Sequence, residues 1–340
     1  MSEATPAVSV CIPTLNAASV LEPCLASLRA QDYPADRLEI VVADGGSRDA
    51  TRAVAARAGA VIVENVLRTG EAGKAAAAAA ATGDVLAFVD SDNILPDPSW
   101  LRRMTAPFAD PGIVASEPLR YTRRPEDPAP TRYFAMLGMN DPLCLFVGNY
   151  DRLSAVTGRW TDLPVREIRR HGWIEVELEE DALPTIGANG FLVRREALLA
   201  TDFSPYLFDI DVLVDLLRAG HRRVAKVDVG IVHLYVADMR GFARKQRRRI
   251  RDFVHHQQRG DRRYPWRRHR MGVVRFVLST VTVVPLVAQA VRGYRRVPDP
   301  AWALHPVACW ITLAVYGAGA VRARLGHTEP ESRTDWTQAM

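Results

Sequence analysis

Two aspartates separated by one residue, Asp90 and Asp92, sit in the run Val89-Asp-Ser-Asp-Asn93, directly after the apolar stretch Val85 to Val89. Hard divalent cations take carboxylate oxygens and keep open positions for substrate phosphates. A carboxylate pair at the end of a buried strand therefore suits a Mg²⁺ or Mn²⁺ ion bridged to a diphosphate. A loop that uses Asp only for its turns has the same letters. Two further polar turns stand in the same relation to apolar runs: Pro13, Thr14 and Asn16 after Val8 to Ile12, and Asp44 to Ser47 after Leu38 to Ala43.

Such turns need a frame that brings them together. Val8 to Ile12, Leu38 to Ala43, Ala60 to Val63 and Val85 to Val89 have the length and β-prone composition of strands. Between them Ser19 to Ala30, Asp49 to Ala58 and Glu71 to Ala81 read as helices, with Asp49 suited to an N-cap and Gly59 to a stop. The seven alanines Ala75 to Ala81 make a good helix and carry no further message. Strand-helix alternation predicts an α/β fold, a mostly parallel sheet with flanking helices. Ligands of such sheets lie beyond the carboxyl ends of the strands, so the three turns share one rim.

Farther along, Pro118 to Pro130 reads as an exposed connection, Ile174 to Leu178 as a half-exposed strand and Phe191 to Val193 as a short one followed by a helix to Ala200. Asp209 to Ala219 is a helix stopped by Gly220, and Val227 to Tyr235 is an apolar run carrying His233.

The chain has 340 residues, 48% hydrophobic and 24% charged, which excludes disorder, collagen and coiled coil. Its four cysteines, Cys11, Cys24, Cys144 and Cys309, form no CxxC pair, which argues against a zinc module or disulfide framework and for a reducing compartment. The first residues lack the basic start and apolar stretch of a secretory signal, so this end is expected not to be exported.

Charge is unevenly placed. Gly241 to Arg275 holds twelve Arg and one Lys against Asp252 and Asp261, a local balance of +11 in a chain of net charge +5. A block of this kind suits a polyanion, either nucleic acid or an anionic membrane face; a solvated helix is the plain alternative. Met271 to Val291 and Ala301 to Val321 follow, each 21 residues long, close to the ~20 that cross a bilayer. Buried core helices would have the same composition. Trp266, Trp302, Trp310, Tyr264, Tyr294 and Tyr316 lie near these segments, as interfacial anchors do. Because the link Arg292 to Arg296 is itself basic, a shallow hairpin kinked at Pro285 and Pro306 and lying in one leaflet is the expectation.

Five stretches in order resemble a family-2 glycosyltransferase of the GT-A fold, across roughly residues 8 to 235. They are VSVCIPTLNAASVLEPCLASLRAQDYP, LEIVVADGGSRDAT, TGEAGKAAAAAAATGDVLAFVDSDN, TIGANGFLVRREAL and FDIDVLVDLLRAGHRRVAKVDVGIVHL. The resemblance implies roles. Pro13, Thr14, Asn16, Asp44, Lys74, Asp90 and Ser91 would hold the nucleotide donor. Asp44 would read the base, or else simply open the Gly45-Gly46 turn. Lys74, one of three lysines among 44 basic residues, would meet the diphosphate, or else lie on a solvated helix face. Asp92 and His233 would hold the metal, although a His ending an apolar strand is often structural. Asp209 would be the general base of an inverting transfer, with Asp211 as fallback. The family's Glu-Asp pair is here Phe208-Asp209, which removes one neighbouring carboxylate. Gly187, Asn189 and Gly190 would face the sugar or acceptor, or form a tight turn. Leu137 to Trp160 is read as a specificity loop, or else a core helix and a surface hairpin.

The expected organisation is a catalytic domain at 1–235, a basic helical segment at 236–270, an apolar membrane-associating hairpin at 271–325 and a polar tail at 326–340. The implied enzyme moves a sugar from a nucleotide-diphosphate donor, with Mg²⁺ or Mn²⁺, to a lipid-linked acceptor or cell-envelope glycan precursor at the cytoplasmic face of the cell membrane. Two other readings are a non-catalytic sugar-nucleotide-binding protein and an Arg-rich nucleic-acid binder. The latter leaves the apolar pair unexplained, so nucleic acid is not an expected partner. A Rossmann dehydrogenase is disfavoured, because Pro13-Thr-Leu-Asn16 stands where a Gly-rich turn would be.

Overall fold

The computed structural model describes residues 5–260, 262–265 and 269–325. Trp266 and the polar tail 326–340 lie outside the described residues. The chain divides into two compact units, the first running to Leu119 and resuming at Pro164–His233, the second made of Arg120–Leu163 and the chain from Leu234.

The first unit is an α/β sheet structure. Its elements in chain order are β1 (Val8–Thr14), α1 (Ala18–Arg29), β2 (Leu38–Asp44), α2 (Thr51–Arg57), β3 (Val61–Glu64), α3 (Gly70–Ala80), β4 (Val85–Phe88), β5 (Asn93–Ile94), α4 (Trp100–Thr105) and β6 (Ile113–Tyr121). After the second unit's first helices, α5 (Ala129–Leu137) and α6 (Leu143–Val147), come β7 (Arg166–Arg170), β8 (Trp173–Glu177), β9 (Phe191–Arg194), α7 (Arg195–Leu199), α8 (Asp209–Arg218) and β10 (Arg223–His233). The strand order is β3-β2-β1-β4-β9-β6-β10-β8-β7, with β5 paired to β10.

The β3-β2-β1-β4 block is parallel. β4 is buried along its whole length, as a strand covered on both faces must be. Register fixes the rim: Thr14 lies beside Asp44, and Cys11 beside Phe88, so the turns after β1, β2 and β4 emerge at one edge. Antiparallel pairing of Phe88 with Phe191 brings the start of β9 to that edge, and pairing of His233 with Asn93 brings the end of β10 there too. The helix expectations hold to within two residues at their starts, and Gly59 ends α2 in the left-handed region at φ 66°. Asp49 acts one residue earlier than expected, accepting the Thr51 and Ala18 N–H groups.

The second unit is helical, adding α9 (Met239–Arg259), α10 (Arg270–Thr282), α11 (Val284–Arg296) and α12 (Leu304–Arg324) to α5 and α6. Tyr133, Phe134, Tyr150, Phe242, Phe276 and Trp302 belong to its core. Leu137, Met139, Phe146, Tyr150 and Val156 are buried in that core, so the segment 137–160, read as a specificity loop, spends its apolar side chains on packing. Pro118 to Pro130 is more ordered than a connection: β6 runs through Tyr121, and Arg124 pairs with the buried Asp127 before α5 begins.

The first apolar segment is two helices bent by 94°. The break falls at Val283, whose φ of 62° ends α10, while Pro285 sits in the first turn of α11. Pro306 produces no kink, because in the first turn of α12 its missing N–H would have had no partner. Trp302 and Tyr264 are buried instead of anchoring an interface: the Trp302 indole donates to Val297 O at 3.0 Å, and the Asn149 amide donates to the Tyr264 hydroxyl at 2.7 Å. Trp310 and Tyr294 are exposed.

Candidate active site

The first two turns are laced together. Gly45 N donates to Thr14 O at 2.8 Å and Asn16 N to Ser47 Oγ at 2.8 Å, while Asn16 Oδ1 accepts from Arg48 N at 2.8 Å. Asn16 adopts φ 48°, a region Asn tolerates better than most side chains. Asp44 is fully buried. Its carboxylate accepts from Gly46 N at 3.1 Å, Ser47 N at 3.0 Å, Ser47 Oγ at 2.5 Å, Thr14 Oγ1 at 3.3 Å and Arg52 Nη1 at 3.3 Å. These contacts are those of the turn-opening alternative.

Lys74 rises from the second turn of α3, whose N-cap Thr69 accepts from Ala72 N at 3.0 Å. The helix sits close to the first turn because Gly73 has no Cβ; one there would lie 2.7 Å from Pro13 Cβ. Lys74 is buried, and its ammonium donates to both carboxylate oxygens of Asp209, at 2.8 and 2.9 Å. Asp90 Oδ1 lies 3.2 Å away on the same nitrogen. Burial opposes the ammonium charge, yet the attraction of Asp209 and Asp90 raises its pKa above the ordinary lysine value. Asp209 is pushed up to about 6: burial raises it, Lys74 pulls it down, and the Asp90 carboxylate raises it again. One lysine shared between two carboxylates leaves one negative charge in excess, so a proton can be taken there near neutral pH.

Beside this cluster, His233 Nε2 lies 3.5 Å from Asp92 Oδ2, a direct consequence of the β5–β10 register. The Asp90–Asn93 turn is closed by Asn93 Oδ1, which accepts from Asp90 N at 3.0 Å, while the Asn93 amide donates to Asn189 Oδ1 at 3.0 Å. Asn189 holds φ 49° and is buried, and Gly190 N donates to Phe88 O at 2.8 Å. Gly187, at φ 147°, abuts the first turn of α8: a Cβ there would stand 2.3 Å from Asp209 O. Ser91 is buried, and Asp211 is fully buried on α8, which leaves Asp209 as the partly exposed carboxylate of that helix's first turn. Among the described residues no group of three or more His, Cys, Asp or Glu is placed to hold a metal ion. The donor set at Asp92 and His233 is one carboxylate oxygen and one imidazole nitrogen.

Sequence reasoning passed over Asn65 and Arg68. Asn65 braces its loop by accepting from Arg68 N at 3.1 Å and donating to Thr69 O at 2.9 Å. Arg68, held at φ 57°, carries its guanidinium to Gly46 beside Asp44. The one available signal was a basic residue immediately before the Thr69-Gly-Glu stretch. Burial pushes the Cys11, Cys24 and Cys144 thiols up, away from the reactive thiolate form.

Residues 9–151 match the family described as Glycosyl transferase family 2. That segment is a family-2 glycosyltransferase domain. The glycosyltransferase AglE of Haloferax volcanii is 29% identical over 119 residues, covering 33% of this chain and 39% of its own. The glucosyl-3-phosphoglycerate synthase of Mycolicibacterium smegmatis is 37% identical over 204 residues, covering 57% of this chain and 59% of its own. The chain thus spans less than two thirds of either relative. Among solved structures, a mannosyltransferase from Pyrobaculum calidifontis in complex with GDP-Man and Mn²⁺ superposes with a TM-score of 0.55 at 22% identity, covering 95% of this chain and 88% of its own. The family-2 domain supplies the turns after β1, β2 and β4 and the lysine of α3, while Asp209, His233 and Asn189 come from beyond the matched segment.

Proposed function

We propose that the chain is an inverting glycosyltransferase that moves a sugar from a nucleotide-diphosphate donor to an acceptor at a membrane surface. The observation that carries this reading is the Lys74 ammonium shared by Asp90 and Asp209 at the rim of a family-2 domain. Asp209 takes the proton of the acceptor hydroxyl, whose oxygen attacks the anomeric carbon in line as the nucleotide diphosphate departs. Lys74 meets the charge that develops on the leaving diphosphate, and drawing it there releases Asp209 to act as base. Asp44 holds the turn at the nucleobase end, and Asn189 with Gly190 faces the sugar.

The carboxylate of Asp92 suits either Mn²⁺ or Mg²⁺, and the imidazole of His233 beside it favours Mn²⁺; these two residues would hold the ion. Bound there, the ion would stabilise the leaving diphosphate. The Pyrobaculum mannosyltransferase, holding GDP-Man and Mn²⁺, supports that pairing of donor and metal.

Membrane association rests on the second unit. One helix among the described residues, Pro300–Arg324, is long and apolar enough to cross a bilayer, and only 22% of its apolar window is buried. Met271, Leu278, Val281, Val284 and Leu325 are exposed on the last helices, while Arg244 and Arg247 are exposed on α9. Apolar surface beside arginine suits an anionic leaflet at the cytoplasmic face, and a lipid-linked acceptor or cell-envelope glycan precursor fits that location.

A thermal-shift screen of UDP-, GDP- and dTDP-sugars with and without Mn²⁺ tests the donor reading. Ligand at about 100 times its Kd stabilises by about 2.7 kcal/mol. A selective shift that disappears with EDTA is expected; no shift with any sugar nucleotide defeats the proposal.

A further inference from the structure

Glu117 of β6 and Lys226 of β10 form an ion pair inside the sheet unit, and the chemistry above uses neither. Their side chains are 1% and 0% exposed. The second carboxylate oxygen of Glu117 accepts the Gly187 N–H at 2.9 Å. Gly187 lies against the carbonyl of Asp209 so closely that no Cβ fits. A chain of contacts therefore runs from a buried charge pair, through one backbone amide, to the first residue of α8, whose carboxylate rests on Lys74.

Burying two charges is costly, and well-packed apolar residues in place of such a pair often leave stability unchanged or improved. Core cohesion alone does not call for it. What the pair supplies is a charge-assisted acceptor: a carboxylate held by an ammonium binds an N–H more strongly than a neutral oxygen does. Lys226 is also one of only three lysines in a chain of 44 basic residues, and a second, Lys74, lies in the same unit on Asp209. Asp209 thus has its carboxylate on one buried lysine and its carbonyl against the glycine whose N–H is held by the partner of another.

We propose that Glu117 and Lys226 are positioning residues: they fix the Gly187–Gly190 loop, and through it the Asp209 carboxylate, in the geometry needed for proton transfer. This rests on the reading of Asp209 as the general base.

The test uses the full chain carrying Glu117→Leu with Lys226→Met, which removes both charges together, alongside Glu117→Asp, which keeps the charge one methylene short. The double variant is expected to unfold cooperatively within a few degrees of wild type, because removal of the buried ion pair offsets the Gly187 N–H left without its acceptor. Its kcat should fall about 100-fold, the scale of a 1 Å misplacement, with donor KM within about twofold. Glu117→Asp should recover part of that loss. A double variant with wild-type kcat overturns the inference, as does one in which kcat and thermal midpoint fall while donor KM rises. Hydrogen exchange supplies an arm independent of activity. Amides of Gly187 to Gly190 and of the Asp209 turn should exchange about tenfold faster in the double variant, those of β1 and β2 unchanged. Unaltered exchange at the loop refutes positioning even if no sugar transfer is found, whereas failure of wild type to transfer from any donor refutes only the functional reading.

Discussion

In the sheet unit the charged groups at the rim share partners incompletely: Asp90 and Asp209 compete for one ammonium, and their side chains remain 30% and 26% exposed. In the helical unit several polar networks close on themselves, although Asn149 Oδ1 and Thr280 Oγ1 stay buried without a hydrogen-bond partner among the described residues. The Tyr133 hydroxyl and Gln289 Oε1 take the two ring nitrogens of His305 at 2.7 and 2.8 Å, the Gln246 amide donates to Thr312 Oγ1 at 3.0 Å, and Asp299 is held by Arg132 and Arg123. Saturated networks make a single packed arrangement, while a site must leave charge to be used by something that arrives. The contrast separates the groups proposed to do chemistry from those that hold helices together.

The sharpest break in that comparison is Asp209→Asn. It keeps the shape and removes the base, so kcat should fall by about 10² to 10⁴-fold while nucleotide diphosphate still binds by calorimetry. Wild-type turnover would move the base elsewhere. Lys74→Met should act next most strongly, raising the donor KM by at least about tenfold, because the diphosphate loses its cation and faces two unshielded carboxylates. Asp92→Ala should increase the Mn²⁺ concentration needed for half-maximal rate. A wild-type enzyme indifferent to EDTA would remove the metal from the account.

The pH profile sharpens the same point. A base must be ionised in the free enzyme, and Asp209 sits near 6, so kcat/KM should decline as pH falls through about 6. The limb belongs to a cluster of coupled groups, Asp209, Lys74 and Asp90, and Lys74→Met should displace it upward by removing the one attraction that lowers Asp209. A limb that stays in place in that variant disconnects Asp209 from the rate.

The parallel block was legible in the sequence because β1, β2 and β4 are continuous apolar runs that must be covered on both faces, and their polar turns follow at once. Lys74 was legible through the ordered motifs around it. Its bond to Asp209, 135 residues away, was not, since no local pattern records which strand end meets which helix. Glu117 was hidden for a related reason: one acidic residue in an apolar strand looks like an exposed edge until its lysine partner, 109 residues distant, is seen. The helical unit was read poorly where composition stood in for environment. Trp302 and Tyr264 have the residue type of an interfacial anchor and the contacts of a core, and nothing local distinguishes Leu137 to Trp160 from an active-site loop.

The smallest expected effect on catalysis belongs to Asp299, and it tests whether the helical unit's closed networks are structural alone. Its carboxylate accepts from Arg132 Nε at 3.0 Å and from Ala301 N at 2.9 Å. Burial raises its pKa, but these two bonds together with the charges of Arg132 and Arg123 outweigh burial and hold the carboxyl below its ordinary value. The sign follows: a depressed folded value contributes stability that is present above the unfolded carboxylate value of about 3.9 and is lost as pH falls through the folded one. Asp299→Asn keeps an acceptor for Ala301 and gives up the charge-assisted bond, a loss of about 1–3 kcal/mol at neutral pH, read as a lower thermal midpoint. That difference from wild type should shrink toward zero in strong acid, while kcat and donor KM at permissive temperature stay within about twofold of wild type. A variant that keeps its midpoint but loses turnover would reverse the assignment, making the helical unit part of the working site and erasing the contrast between saturated and shared charge.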